Sequence, residues 1–179
     1  MAIFIIILCL LLVFGVITAR LAKKTKSMMM NDPLFALSNR GFLGFVLGDS
    51  KNFVWSRINH LGLMTQEELD DYKSNAEIME MVGGIDFNSI NVAKNKFEEI
   101  NQICLGFNKE DLLNSIMVYV KDKPNIPTNE YMKELSDKYV SLLGRPNAVN
   151  SSDAYVWAFR GSSIVLFNDN NEIILHIHN

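Results

Sequence analysis

Residues 154–178, AYVWAFRGSSIVLFNDNNEIILHIH, contain three short apolar-rich runs, AYVWAFR, SSIVLFN and EIILHIH. Side chains alternate along the runs with the period of 2 that places neighbouring strand residues on opposite faces. Gly161 separates the first pair, and Asn168, Asp169, Asn170 and Asn171 separate the second. These residue types accept the positive φ that tight hairpin turns demand. Strands joined this closely run antiparallel, so the C-terminal part of the chain predicts an antiparallel sheet. Tyr155, Trp157 and Phe159 fall on one face of their strand, and Val156, Ala158 and Arg160 on the other. The next strand is apolar on both faces, more than a sheet with helices on one side needs.

Working back from this stretch, Thr128 is expected to cap a helix whose apolar stripe is Met132, Leu135, Tyr139, Leu142 and Leu143, stopped by Gly144 and Pro146. Pro124 and Pro127 separate it from what precedes. Upstream the same order recurs. Ser50 is placed to cap a helix carrying Val54, Ile58 and Leu61 and ending at Gly62, and Thr65 with Glu68 has capping-box spacing before a second, shorter helix. AEIMEMV, KFEEINQICLGF and LLNSIMVYV then read as strands, with DFNSINV a further short one. Both principal helices end in Leu-Gly, at Leu61-Gly62 and Leu143-Gly144. The fold class expected is therefore α+β: a duplicated helix-then-antiparallel-strands domain, one sheet with helices packed on one face, preceded by an N-terminal transmembrane helix.

That helix is expected from Met1 to Ala19, a run without a charged residue. At ~1.5 Å per residue it is ~28 Å long, which matches the hydrocarbon thickness of a bilayer. Arg20, Lys23, Lys24 and Lys26 follow it, whereas a cleaved signal carries its charges in front. Basic flanks stay on the cytoplasmic side, so the reading is a single-pass protein of the cell (inner) membrane with a cytoplasmic domain; the alternative puts the domain outside the cytoplasm. The chain divides into an anchor with its basic flank (1–26), a linker (27–41), a first αβ repeat (42–123) and a second (124–179).

All 20 acidic residues but only 13 of the 17 basic ones lie beyond residue 26, so that portion carries a formal charge of −7. An acidic surface repels nucleic acid and excludes it as a partner. Cys104 is the one cysteine there, so no intramolecular disulfide forms in it.

LGDSKNFVWSRINHLG, followed by a short helix and strands, resembles the SmpA/OmlA outer-membrane assembly lipoprotein domain and its structural relative, the beta-lactamase inhibitor protein. The matching residues are Gly48, Ser50, Val54, Leu61 and Gly62 in the first unit and Leu143, Gly144 and Pro146 in the second. The resemblance implies a non-enzymatic domain that binds other proteins through its sheet. The chain departs from that pattern in lacking a lipid-attachment cysteine, since Cys9 has Ile7 and Leu8 before it, and in its inward-pointing basic flank.

No signature of a nucleophile, phosphate loop, dinucleotide fold or zinc protease occurs, and no cofactor is expected. His176 and His178 project to one strand face at metal-ligand spacing, but no third ligand is evident. Asp169 among asparagines lacks the spacing of a calcium loop and reads as a turn. The expected function is a membrane-anchored protein-interaction module, an accessory subunit of a membrane complex, with membrane lipid and another protein as partners. The alternative is a small-molecule or metal-binding sensor, or a weak hydrolase, using the C-terminal histidines. The aromatic row is either the helix-packing core or an interface. The arrangement expected buries one end of it under the second helix, while the other end joins Tyr119 in an exposed contact patch, which makes Tyr119, Tyr155, Trp157 and Phe159 the candidate partner-binding residues.

Overall fold

A computed structural model of the chain describes residues 31–81, 89–93, 96–149 and 154–179. Ten strands and three α-helices are present among these residues. Strands β1 (Leu37–Ser38), β2 (Gly41–Phe42) and β3 (Phe45–Val46) make a small antiparallel meander after a 3-10 turn at Pro33–Phe35. Helices α1 (Lys51–Leu61) and α2 (Gln66–Met81) lead to β4 (Ser89–Val92), β5 (Ile100–Phe107) and β6 (Leu113–Val120). Helix α3 (Thr128–Leu143) then precedes β7 (Ala148–Val149), β8 (Tyr155–Phe159), β9 (Ser162–Asp169) and β10 (Glu172–His178). The last seven strands form one sheet in the order β4-β5-β6-β10-β9-β8-β7, with every pairing antiparallel.

Local chemistry sets the helix ends. Ser50 Oγ accepts the Phe53 N–H at 3.4 Å, and Gly62 closes α1 in the left-handed region at φ 63°. Thr65 N–H donates to Glu68 Oε2 at 2.7 Å while Glu68 N–H donates to Thr65 Oγ1 at 3.2 Å, a reciprocal capping box. The Thr65 backbone N–H, and after it the Thr65 side chain, hydrogen-bond the Glu68 carboxylate and hold it below its ordinary pKa. Thr128 does not cap α3: the N-cap is Pro127, with no side-chain bond. The hairpin between β9 and β10 turns through Asn170 and Asn171, both at positive φ.

The expected fold class requires correction. No helix of the described residues is long and apolar enough to cross a membrane. The run from Met1 to Ala19 and its flank of Arg20, Lys23, Lys24 and Lys26 lie outside the described residues. The expected strand AEIMEMV is also overturned, because residues 76–81 continue α2. A capping box fixes the start of that helix, and Ala, Glu and Met are all good helix formers, so the turns propagate through a run whose alternation resembles a strand.

One apolar cluster unites the elements. Cross-strand register aligns Ile90, Leu105, Ile116, Ile177, Ile164 and Trp157 in a single row over six strands, each at most 1% exposed. Val54, Ile58 and Leu61 from α1 and Tyr131, Met132, Leu135 and Tyr139 from α3 are buried in the same cluster. Leu142, expected in that stripe, is exposed. Within the expected linker, residues 27–41, Leu34 is buried in the core, and the start of the first repeat adds Phe42, Leu43, Phe45 and Leu47 to it. Ser162 Oγ donates to the Asn39 carbonyl at 2.7 Å and ties the small meander to β9.

Candidate interaction face of the sheet

Because strand side chains alternate, the register that builds the core row dictates a second set of rows on the opposite face. One runs Asn91, Cys104, Met117, His176, Val165, Val156 across β4, β5, β6, β10, β9 and β8. Beside it lies Gln102, Tyr119, Ile174, Phe167. The middle of this face is thus built from Met117, Tyr119, Val165, Phe167, Ile174 and His176. Most are half-buried, and Ile174 is only 6% exposed although it stands apart from the core cluster. Tyr119 Oη donates to Met117 Sδ at 3.8 Å, so two side chains of β6 are tied together on this surface. Desolvation, followed by the charges of Cys104, Glu172 and Asp169, raises the Tyr119 pKa, so the phenol stays a donor.

The four expected partner-binding residues do not share a surface. Trp157 is 1% exposed, donates Nε1–H to the Gly144 carbonyl at 2.8 Å and meets Tyr139 edge-on at 6.3 Å. Tyr155 stacks on Trp157 at 6.4 Å and is half-buried, as is Phe159, and both pack against the core. Tyr119 is on the other face of the sheet, and the structure does not bring it together with the aromatic row.

His176 and His178 do come together, with ring centroids 4.7 Å apart. His176 Nε2 is 3.0 Å from Ser115 Oγ, and His178 Nδ1 is 2.9 Å from the Asn179 oxygen. Burial, with His178 alongside, holds His176 below its ordinary pKa and favours the neutral ring. Among the described residues no three His, Cys, Asp or Glu side chains gather to hold a metal. Burial raises the Cys104 thiol pKa, which a hydrogen bond with Ser89 partly offsets, so the thiolate is disfavoured. At the sheet edge Tyr72 donates to the Ser89 carbonyl and packs against Trp55.

A cleft of about 850 Å³ lies at one end of the sheet, with Asp32, Phe35, Glu99, Lys121, Lys123 and Tyr131 in its wall. Its cations are partly engaged, since Lys123 sits 4.3 Å over the Tyr131 ring and 3.7 Å from Glu134, and Lys138 sits 4.9 Å over Phe35. The mixed charges converge on no single ligand geometry. The face that carries Tyr119 is the more coherent candidate site. Met117, Val165, Phe167 and Ile174 had one sequence signal, the apolar residues at both strand parities in β6, β9 and β10.

No protein-family model matches the chain, and no curated protein matches it. Among solved structures it is similar to a DUF4309 family protein (YjgB) from Bacillus subtilis subsp. subtilis str. 168, at 9% identity and a TM-score of 0.41, over 87% of this chain and 95% of that one. No SmpA/OmlA or beta-lactamase-inhibitor family is indicated by this likeness.

Proposed function

We propose that this chain is a non-enzymatic protein-interaction module that works beside a membrane, and that it docks its partner on the sheet face carrying Met117, Tyr119, Val165, Phe167 and Ile174. What supports this reading is the composition of that face. An antiparallel sheet with its core on one side ordinarily turns polar side chains outward, whereas this one carries an apolar, half-buried centre. Tyr, Phe and Met are also the residue types enriched where protein surfaces meet. The uncharged run before Arg20 and the basic residues after it favour a membrane address with the domain in the cytoplasm, and the partner is then a membrane protein or a subunit of a membrane complex.

Tyr119→Asp and Phe167→Asp test this. Both side chains lie off the core, so each variant is expected to fold, with melting close to that of the parent. Each is expected to abolish affinity capture of the partner from solubilised membranes, because a charge placed in an apolar interface loses its hydration without gaining a mate. Well-folded variants that retain the parent's set of captured proteins would overturn the proposal.

A further inference from the structure

We propose that Met117, His176 and His178 form a binding site for a cuprous ion. The three residues occupy one face of two adjacent strands, with Met117 directly opposite His176 in the β6–β10 register and His178 one pleat further along. Directly opposed side chains begin roughly 5 Å apart at Cβ, within reach of a methionine thioether. The imidazole rings already lean together to 4.7 Å between centroids.

Among the described residues, hydrogen bonding leaves one nitrogen free on each ring. Ser115 engages His176 Nε2 at 3.0 Å and leaves Nδ1, while the Asn179 oxygen engages His178 Nδ1 at 2.9 Å and leaves Nε2. Such second contacts fix tautomer and ring orientation in metal sites. The thioether is held likewise by the Tyr119 hydroxyl at 3.8 Å, and sulfur keeps a second lone pair for a metal.

Donor chemistry selects the ion. Zinc asks for four ligands and calcium or magnesium for carboxylates and carbonyls, but no group of three His, Cys, Asp or Glu side chains assembles among the described residues. Two imidazoles and a thioether are a soft, neutral, low-coordinate set, which suits Cu(I). This site does not depend on protein docking at the same face, and its test reads the metal alone.

The test is an anaerobic titration of the full chain in detergent micelles with Cu(I) against bicinchoninate, carried out with Cys9→Ser and Cys104→Ser in place to remove both thiols. One equivalent is expected to be retained. His176→Ala and His178→Ala should each weaken binding by roughly 100-fold, and Met117→Leu by roughly 10-fold, as first ligands outweigh weaker ones. Melting curves on each variant confirm that the fold is kept, and Zn(II) is expected not to be retained. Loss of Cu(I) binding once the thiols are gone, or histidine variants with the parent's affinity, would overturn the site. Parent-like affinity in Met117→Leu would overturn the three-donor geometry.

Discussion

Replacing Trp157 with alanine removes a fully buried indole, and its consequences follow from three packing contacts and one hydrogen bond. The ring closes the end of a six-strand row, stands edge-on to Tyr139 at 6.3 Å and carries Tyr155 stacked at 6.4 Å. Loss of a buried aromatic costs about 3–5 kcal/mol, the spread reflecting how far the cavity collapses. The Gly144 carbonyl then loses its 2.8 Å donor, which adds about 1 kcal/mol unless water replaces it. Against a total stability of about 5–15 kcal/mol for a domain, Trp157→Ala should leave the protein marginal. Trp157→Phe keeps most of the packing and loses the N–H, so a drop of only about 1–2 kcal/mol is expected. Urea denaturation followed by far-UV circular dichroism measures both, with a slope of about 1–3 kcal/mol per molar converting the alanine loss into a midpoint lower by about 2 M. An alanine variant within about 1 kcal/mol of the parent would refute the assignment of Trp157 to the core.

Other perturbations separate structural roles. The Tyr139 hydroxyl is buried without a hydrogen-bond partner among the described residues, so Tyr139→Phe should be neutral or stabilising by about 1 kcal/mol in the same denaturation assay. Gly62 sits at φ 63° with open space where a Cβ would lie, so Gly62→Ala should cost about 1 kcal/mol of backbone strain alone, read as a lower melting midpoint. The lowered pKa of His176 means that the unfolded state binds a proton more readily than the fold does. The stabilisation is therefore complete above the ordinary imidazole value near 6.5 and is lost as pH falls through the lower folded value. Denaturation curves from pH 7.5 down to pH 5 should show that loss, and His176→Gln should flatten it.

Much of the secondary structure was legible because its signals are local. Ser50, Gly62, Thr65 and Glu68 act within one or two turns, and the period-2 runs of β5, β6, β8, β9 and β10 each fit in a short window. The end of α2 was not, since in AEIMEM glutamates alternate with apolar residues as a strand face would, and only the helix propagating from residue 66 decides between the periods. Residues 33–47 lacked any period, yet Leu34, Phe42, Leu43, Phe45 and Leu47 are buried, because two-residue strands and a 3-10 turn are too short to leave a repeat. The side of the sheet on which Tyr119 lies was beyond local reading altogether. It depends on register carried from β6 through β10 and β9 to β8, three pairings away from Trp157.

The docking face is tested most directly by site-specific photo-crosslinking in intact cells. A benzophenone amino acid placed at Tyr119, Val165 or Phe167 samples that face, and one placed at Asp137, on the exposed side of α3, serves as the control. Adducts of one common mass are expected from the three sheet positions and none from Asp137. No adduct from any of the three, or the same adducts from all four positions, would contradict docking at this face.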